Sequence, residues 1–551
     1  MAEHRENKED PKSAQILEDE YNKELDAEKG DSSDETLRGA QDATAQEHSM
    51  GLLEGLKKYP KACAWSVMFS SALIMEGFDK AFITAFFAFP AFQRRYGQLT
   101  AEGDYQVPAS QQAAIGNCVN VGQIIGLLLN GYLADKFGYR AVMLSCLFLM
   151  MCFIFLQFFA TNIWMYLGAG ILLGIPWGAF QTVTTTYAAE VCPTVLRPYL
   201  TMCVSMCWSI GYLVGTATLR GFLSMEGQWA YRIPFAMQWI LPIPLAIGTF
   251  FAPDSPWWLV RKNRSADAER ALRRLRTNPV DEEVHSTLQM IEFTVNLERE
   301  QSGHSRYIDM VNPKNLRRTE ITVFTYVIQE LCVPLLSYVV YFLQQAGVPT
   351  ERSFDFSIGQ YGLAILGVII AWSVVRKFGR RTMLLTGTTF VAVTTLVIGC
   401  LGIRNTVTNT QYAYAIGSIL LVQYFFFFIT VGPIVYTIVT EIPNNFLRTK
   451  SVAVARATYN VNVLIYGQLV PRMIQRSTWN WGAKSGFFYG GIMLIGLTWA
   501  YFRVPETKDR TFAEIDILFE NQVAARDFVK TKVDLATKTV SRYDAEEQQQ
   551  Q

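Results

Sequence analysis

The heptapeptide ADKFGYR at residues 134–140 has a counterpart, VRKFGRR, at residues 375–381. Two further landmarks recur in the same order. AAEVCPTVLRP (188–198) matches VTEIPNNFLRT (439–449), and PDSP (253–256) matches PETK (505–508). All three pairs are separated by about 250 residues. Matched landmarks at one spacing predict two halves of the same topology that face each other across a central cavity.

Apolar segments recur through both halves, and each is long enough, at about 20 residues, to cross a hydrocarbon core of roughly 30 Å. They lie near 63–90, 113–133, 141–160, 162–190, 200–220, 232–252, 320–345, 356–375, 382–402, 412–440, 450–474 and 484–503. We therefore predict an all-α integral membrane protein of the major facilitator fold, with twelve transmembrane helices in two six-helix halves.

Polar segments flank and divide the two halves. The predicted boundaries are an acidic N-terminal tail at 1–60, the first half at 61–252, a linker at 253–319, the second half at 320–504 and a C-terminal tail at 505–551. The N-terminal tail is rich in Asp and Glu and is predicted to be disordered. In the linker, SADAERALRRLR (265–276) predicts an amphipathic helix that braces the halves at the membrane surface. A solvated linker is the alternative.

Basic residues in the short loops predict the orientation of the chain. Those on the side of the two tails are Lys136, Arg140, Arg197, Arg376, Lys377, Arg380, Arg381, Arg448 and Lys450, whereas Arg94, Arg95 and Arg404 fall on the other side. Both termini are therefore expected in the cytoplasm.

Composition argues against several other function classes. A net charge of +1 gives no reason to expect nucleic acid as a partner. The nine cysteines lie in or beside apolar runs, so neither a disulfide framework nor a metal site is predicted. The four histidines lie outside the predicted spans, and no phosphate-cradling glycine motif stands out. We expect a monomeric protein that is not an enzyme and carries no cofactor.

Several motifs resemble the signatures of the sugar porter family, over about residues 62–520. They are GYLADKFGYR (131–140), PDSPWWLVRKNR (253–264), GRRTML (379–384) and VPETKDRTFAEIDILFE (504–520). MEGFD (75–79), GIPWGAFQT (174–182) and EIPNNFLRTKSVAVARATYNV (441–461) are more specifically similar to fungal α-glucoside, or maltose-type, permeases. The resemblance implies a plasma-membrane transporter that imports maltose, trehalose or a similar sugar by proton symport and alternating access.

Two other functions stay open at this point. A transporter of the same fold could carry another glycoside or a secondary metabolite, by uniport or outward. A sensor that binds sugar without transporting it is the third hypothesis. Sensors of this type tend to have long cytoplasmic extensions, and the final tail here is short.

The run LIMEGFDKAFITAFFAF (73–89) carries Glu76, Asp79 and Lys80 inside an apolar span. Spacings of three and four residues put them on one helical face. An unpaired charge at the bilayer centre costs at least about 2.5–3.5 kcal/mol, so this face should line an aqueous cavity. Two carboxyl groups this close do not ionise together easily, so one is expected to take up an external proton and release it inside. By resemblance, Asp79 matches the first-helix acid of proton-coupled sugar porters, and Glu76 matches an extra acid of the α-glucoside permeases.

Two basic residues bear on this expectation. Arg456, in the eleventh span, is the expected counter-charge. Lys80 could pair with either acid and keep it ionised, which would favour uniport, or it could bind an acidic substrate. The fourth-helix position that is basic in many proton-linked sugar porters is Ala169 here, so Lys80 could supply the missing charge. A purely structural ion pair is a further alternative.

Sugar binding needs hydrogen-bonding side chains and flat aromatic faces, and polar residues within spans usually face the cavity. The candidates are Ser205, Trp208, Tyr212, Gln329, Glu330, Gln360, Tyr436 and Asn460. Resemblance supports Gln329, which matches the first of two paired glutamines in the family. Glu330 replaces the second, and Tyr436 replaces a tryptophan, so an ordinary hexose is less expected. Lipid-facing packing is the alternative for the aromatic residues.

Acids and bases at the tail-side helix ends can pair between neighbouring helices and close that side of the membrane. These gate candidates are Asp135, Arg140, Glu190, Arg197, Arg380, Glu441 and Arg448, with ordinary topology charges as the alternative. Arg376 stands where family members often have an acid, so the second-half latch is expected to be weaker.

Proline and glycine also mark two of the spans. GIPWG (174–178) and VGP (431–433) are expected to interrupt the fourth and tenth spans and to let the helix bend or approach a neighbour closely, because proline removes a backbone donor and glycine removes a side chain. By resemblance, the VGP break lies beside the sugar and has a gating role. Plain helix packing is the alternative.

Overall fold

The computed structural model describes residues 38–542, apart from 40, 48, 86–93, 96, 100–104, 107–108, 223–224, 226, 303–305, 336–349, 404–409, 475–478, 480 and 536. Long helices dominate this part of the chain, as the apolar segments predict. The predicted disorder of residues 1–37 falls outside it and stays a prediction.

The helices of the first half follow the predicted spans. They are α1 (Leu52–Lys58), α2 (Pro60–Ser70), α3 (Ala72–Ala85), α4 (Ala109–Phe137), α5 (Tyr139–Phe158), α6 (Ile163–Val191), α7 (Arg197–Phe222), α8 (Trp229–Met237) and α9 (Pro242–Phe251). Helices α2 and α3 together form the first span, and α8 and α9 form the sixth. Between α3 and α4, strand β1 (Gln98–Leu99) pairs antiparallel with β2 (Tyr105–Gln106).

The linker is also helical. It contains α10 (Pro256–Arg261), α11 (Ser265–Leu275), α12 (Asp281–Ser302) and a 3₁₀ turn at Tyr307–Val311. Helix α11 has the predicted amphipathic form, because Ala268, Ala271, Leu272 and Leu275 are its buried residues.

The second half repeats the arrangement of the first. Its helices are α13 (Pro313–Leu331), α14 (Thr350–Phe378), α15 (Arg380–Leu401), α16 (Thr410–Ile429), α17 (Val431–Glu441), α18 (Arg448–Ile474) and α19 (Ser485–Arg503). Helix α20 (Phe512–Glu520) and the antiparallel strands β3 (Thr531–Asp534) and β4 (Thr539–Arg542) follow.

Nine helical segments in the described part of the chain are long and apolar enough to cross a membrane. The first, seventh and eleventh predicted spans, formed by α2–α3, α13 and α18, are not among these nine. Those three spans carry the acids of α3, the Gln329–Glu330 pair and Arg456. Polar groups in a span are expected to face protein rather than lipid, so these helices should meet at the centre of the bundle.

The segment before the first span differs from its prediction. Residues 41–47 and α1 are helical, where disorder is expected up to residue 60. The cause is tertiary burial, since Ala43 clusters with Met290 and Phe293 of α12. Local composition did not indicate this contact.

The fourth span also differs from its prediction. Helix α6 continues through Pro176, so the expected interruption at GIPWG is wrong. The close approach expected of the motif is confirmed: Gly174 and Gly178 allow α6 to cross α4 closely, because a Cβ on either would meet the carbonyl oxygen of Val119 or Gln123. The expected break at VGP is confirmed, since α16 ends at Ile429 and α17 begins at Val431.

A second close crossing positions the acidic helix α3 against α7. A Cβ on Gly77 would lie 2.5 Å from the Trp208 carbonyl oxygen and 3.1 Å from the Gly211 Cα. The absence of a side chain at Gly77 therefore brings Trp208 beside Glu76, the residue that precedes Gly77.

Replacing Gly77 by alanine should force α3 and α7 apart, because the added Cβ meets backbone atoms that no side-chain rotation can move. Overpacking of this kind costs about 1–3 kcal/mol, so the midpoint of thermal unfolding in detergent should fall. Gly168→Ala in α6 is the matched control, since a Cβ there meets nothing within 4 Å. Equal midpoints for the two variants would contradict the close crossing.

Candidate functional site

The charged face of α3 points into the helix bundle. Glu76 is fully buried, and Asp79 is 2% exposed. The Lys80 Nζ lies 2.8 Å from Glu76 Oε1, one helical turn away. The structure thus brings the three predicted charges together and shows that Glu76 is an acid paired with Lys80.

Three uncharged donors surround the same carboxylate. Glu76 Oε1 accepts hydrogen bonds from Gln123 Nε2 of α4 at 2.8 Å and from Gln181 Nε2 of α6 at 2.6 Å. Its Oε2 accepts one from Trp208 Nε1 of α7 at 3.1 Å. Donors from α3, α4, α6 and α7 therefore converge on Glu76, which makes it well suited to hold a negative charge.

Asp79 has a different environment. Both of its carboxylate oxygens are buried, and neither has a hydrogen-bond partner in the described part of the structure. The two acids therefore lie on one helical face, but only Glu76 has hydrogen-bond donors among the described residues.

Arg456, the expected counter-charge, reaches Glu76 through an intervening amide and not through a direct ion pair. Within the described residues, no carboxylate lies within ion-pair distance of its guanidinium group. Arg456 Nε instead donates to Gln181 Oε1 at 2.9 Å. Its guanidinium carbon also lies 3.8 Å from the ring centre of Tyr459 and 4.5 Å from that of Trp208. The reason is the intervening Gln181 amide, which occupies the space between Arg456 and Glu76.

Aromatic candidates for sugar binding lie around Arg456. The Trp208 and Tyr436 ring centres are 5.7 Å apart, and those of Tyr326 and Tyr436 are 6.0 Å apart. Tyr212 of α7 stacks on Tyr361 of α14 at 5.0 Å. The Trp208–Tyr436 and Tyr212–Tyr361 contacts join helices of both halves, so these rings lie at the interface between the halves.

Polar candidates lie nearby on α13 and α18. Gln329 Nε2 donates to the Gly432 carbonyl oxygen at 2.6 Å, at the break between α16 and α17. Glu330 lies beside the Tyr459 hydroxyl group. Asn460 is fully buried and follows Tyr459 in α18. Of the other candidates, Ser205 is buried one turn before Trp208, and Gln360 is buried in α14 beside Tyr424.

Several buried polar atoms of this cluster have no hydrogen-bond partner in the described chain. They are Gln329 Oε1, Glu330 Oε2, Asn460 Oδ1 and Nδ2, Arg456 Nη1 and the Tyr326 hydroxyl oxygen. An unsatisfied buried polar group costs about 1–3 kcal/mol. A ligand with several hydroxyl groups could satisfy such a mixed set of donors and acceptors.

The gate candidates lie at the tail face, which we define as the face that carries α1, α10–α12 and α20. Ion pairs between described residues join the halves here. Arg448 Nη1 lies 3.4 Å from Glu190 Oε1, and Lys450 Nζ lies 3.0 Å from Asp135 Oδ2. The hydroxyl groups of Tyr139 and Thr449 add a contact at 3.0 Å. The two halves are therefore in contact across the tail face in this conformation.

The repeated landmarks occupy equivalent positions within each half. The Asp254 carboxylate accepts a hydrogen bond from the Arg140 backbone N–H, and the Glu506 carboxylate accepts one from that of its counterpart Arg381, in addition to one from Arg380. Likewise, Ser255 donates to Glu190, and Thr507 donates to Glu441. Burial raises the pKa of both the Asp254 and Glu506 carboxyl groups. Arg380 also pairs with Glu441, with Nη2 3.2 Å from Oε1.

Arg197 makes a contact that its sequence position did not suggest. Among the described residues it has no carboxylate within ion-pair distance, and its guanidinium carbon lies 3.6 Å from the ring centre of Phe512. Arg448 lies 3.7 Å from the same ring centre. One aromatic ring of α20 therefore contacts an arginine from each half.

The side chain of Arg376 falls outside the described structure, so the weaker second latch stays a prediction.

Sequence reasoning missed several of these residues. Gln123 and Gln181 sit in apolar spans, so the rule that polar residues in spans face inward would have found them. Lys450 was assigned only to topology, yet it pairs with Asp135. Tyr326, Tyr459 and Phe512 gave no signal, because aromatic residues are frequent throughout the chain.

Comparison with known proteins places these features in a family. Residues 65–519 match the family model described as sugar (and other) transporter. The general alpha-glucoside permease of Saccharomyces cerevisiae is 39% identical over 513 residues, which is 92% of this chain and 83% of that protein. The maltose permease MAL31 of the same yeast is 40% identical over 509 residues, which is 91% of this chain and 82% of that protein.

Solved structures share the fold at lower identity. The proton:xylose symporter XylE bound to 6-bromo-6-deoxy-D-glucose is 20% identical, with a TM-score of 0.69 over 84% of this chain and 98% of that chain. The inward open conformation of XylE from E. coli is also 20% identical, with a TM-score of 0.54 over the same shares of the two chains. The fold is therefore that of the major facilitators.

Replacing Phe512 by alanine should shift the protein toward a conformation that is open at the tail face, because it removes the ring shared by Arg197 and Arg448. A cation–π contact is worth about 0.5–2 kcal/mol, so the equilibrium should change roughly 2- to 30-fold. Spin labels at positions 136 and 377 would report the distance between the halves. Phe519→Ala is the matched control, because the two arginines beside the Phe519 ring, Arg317 and Arg318, both belong to α13 of the second half. Identical distance distributions for both variants would contradict the expected role.

Proposed function

This chain belongs to the sugar transporter family, and from that premise we propose that it imports an α-glucoside such as maltose or trehalose together with protons, by alternating access. The observation that carries the proposal is the acid pair on α3. One member, Glu76, is fully compensated, and the other, Asp79, has two buried oxygens without a described partner.

The yeast relatives support the substrate class. They are α-glucoside and maltose permeases by name, and their identity of 39–40% extends over nine-tenths of this chain. The unsatisfied polar atoms of Gln329, Glu330 and Asn460 supply donors and acceptors for sugar hydroxyl groups. The rings of Trp208 and Tyr436 supply flat faces for the sugar's C–H groups.

Asp79 is the proposed proton carrier. A buried carboxylate without a partner is costly, so Asp79 should hold a proton in this conformation. Glu76 is already stabilised as an anion by Lys80 and three uncharged donors. Asp79 would release its proton when the conformation changes and water reaches it from the other side.

The tail face is proposed to be the cytoplasmic face of the plasma membrane, with both termini on that side. The pairs Glu190–Arg448 and Asp135–Lys450 would then hold the cytoplasmic side closed while sugar and proton enter from outside. Arg140, Arg380 and Glu441 would shape this gate from within each half.

The Lys80–Glu76 ion pair favours uniport as a second candidate. At 2.8 Å, Lys80 neutralises one acid without a proton. If Asp79 also stayed charged through the cycle, sugar would move only down its own gradient.

Labelled maltose uptake by yeast that lacks its own transporters and expresses this protein should be saturable, and it should collapse when an uncoupler dissipates the proton gradient. The measurement is the initial uptake rate with and without the uncoupler. A competition panel with trehalose and other glycosides then defines the substrate. Uptake that the uncoupler leaves unchanged would contradict symport and favour uniport.

Asp79→Asn should abolish accumulation against a gradient while sparing exchange, because the amide cannot carry the proton. Reconstituted vesicles would give both readouts, as accumulation under an imposed proton gradient and as counterflow without one. Asp267→Asn is the control, since this linker carboxylate pairs with Arg264 and Arg270 on α11 and its flank, away from the acid pair. Full accumulation by Asp79→Asn would remove Asp79 from the proton route.

A further inference from the structure

Gln181 occupies a position between the two halves that the proposed function does not use. It belongs to α6 of the first half and is 1% exposed. Its amide nitrogen donates to Glu76 Oε1 at 2.6 Å, and its amide oxygen accepts from Arg456 Nε at 2.9 Å. Arg456 belongs to α18 of the second half. One side chain therefore joins the acidic helix of one half to the buried arginine of the other.

We infer that Gln181 is a positioning residue for proton coupling, which transmits the charge state of the α3 acids to Arg456 across the interface between the halves. This inference rests on the proposed proton symport and adds a residue to it. Gln181 does not carry the proton in this scheme.

The chemistry of the two neighbours explains why an amide fits this position. An ionised carboxylate only accepts hydrogen bonds, and a guanidinium group only donates them. A primary amide offers a donor to the first and an acceptor to the second. Rotating the amide by half a turn would place two acceptors together and two donors together, so its orientation is fixed by both neighbours at once.

The same geometry makes the link sensitive to protonation. The bond from Gln181 to Glu76 is strong while the carboxylate is charged, since charge-assisted hydrogen bonds are roughly twice as strong as neutral ones. Asp79 lies three residues from Glu76 on the same helical face, so a proton gained or lost at Asp79 changes the negative charge that Gln181 and Arg456 face. When Asp79 is protonated, this face attracts Arg456 less strongly through the amide, and the halves separate more readily.

Several other ionisable groups face this link and belong to the same electrostatic environment. They are Asp79 and Lys80 on α3, Tyr212 on α7, Tyr326 and Glu330 on α13, Tyr436 on α17 and Tyr459 on α18. Only Gln181 bonds to both Glu76 and Arg456 among the hydrogen bonds of the described chain, which is why it is the residue to change.

The test uses the purified full-length chain in vesicles, with labelled maltose as the probe. Gln181→Met keeps the length of the side chain and removes both hydrogen bonds. We expect accumulation under an inward proton gradient to fall about tenfold or more, while counterflow stays within a factor of about two or three of the parent, a change below 1 kcal/mol. Gln423→Met is the matched control, because Gln423 is a buried glutamine whose bond to Thr395 stays within the second half. It should accumulate maltose like the parent.

Gln181→Glu supplies a second, sharper readout. A glutamic acid can bridge Glu76 and Arg456 as the amide does only while it carries a proton. Its accumulation should therefore approach the parent level at acidic external pH and fall at neutral pH. A structural role in packing alone would give no such shift in the pH profile.

The outcomes separate the inference from the function on which it rests. A parent protein that shows counterflow but no accumulation would overturn proton symport itself. Parent accumulation that Gln181→Met retains would overturn the role of Gln181 and leave symport standing. Loss of both accumulation and counterflow in Gln181→Met, with normal Gln423→Met, would also overturn it, because Gln181 would then be needed for transport as such. A pH profile of Gln181→Glu that matches the parent would count against it equally.

Discussion

An ionised carboxylate inside a membrane protein needs compensating donors, and the centre of this structure is arranged around that need. Glu76 receives an ammonium group, two amide groups and an indole N–H from four helices. Those donors reach it only because α3 and α7 cross at Gly77, and α4 and α6 cross at glycines of their own. In the first half, the compensation of the Glu76 charge therefore depends on the close packing of the helices. A side chain at either crossing would withdraw a donor and raise the cost of the buried charge.

Contacts in a central layer and at the tail face connect the halves, and both would change in the proposed alternating access. Arg220 and Asp355 add a contact between the halves at the opposite face. The central layer contains the Gln181–Arg456 bond and the aromatic contacts of Trp208 and Tyr436. The tail-face layer contains Glu190–Arg448, Asp135–Lys450 and the Phe512 ring. A hydrogen bond contributes about 0.5–1.5 kcal/mol net. A handful of such contacts gives a difference of a few kcal/mol, which a bound sugar and a proton would reverse in the proposed symport.

The fold could be predicted well from the sequence. The apolar segments mark the individual spans, and the repeat landmarks indicate that the two halves share one topology. The sequence also placed Glu76, Asp79 and Lys80 on one face, since helical spacing is a local property. It did not predict that Gln181 separates Arg456 from Glu76, because these residues are distant in the chain and an uncharged amide is not conspicuous. Two other features were not predicted for the same reason, namely the continuity of α6 through Pro176 and the contact of Ala43 with α12. Each depends on packing against residues that are distant in the chain.

The use of an amide in place of a direct ion pair between Glu76 and Arg456 has an energetic reason. In the proposed alternating access, a contact between the halves forms and breaks in every transport cycle. Breaking a buried ion pair by removing one partner costs about 3–5 kcal/mol, because a charge is left uncompensated. A hydrogen bond to a charged group contributes only about 1.5–3 kcal/mol. With Gln181 between them, Glu76 keeps Lys80 and Arg456 keeps the tyrosine rings of its own half when the halves part, so neither charge is left alone. The neutral side chain thus allows the halves to be linked electrostatically and still to separate.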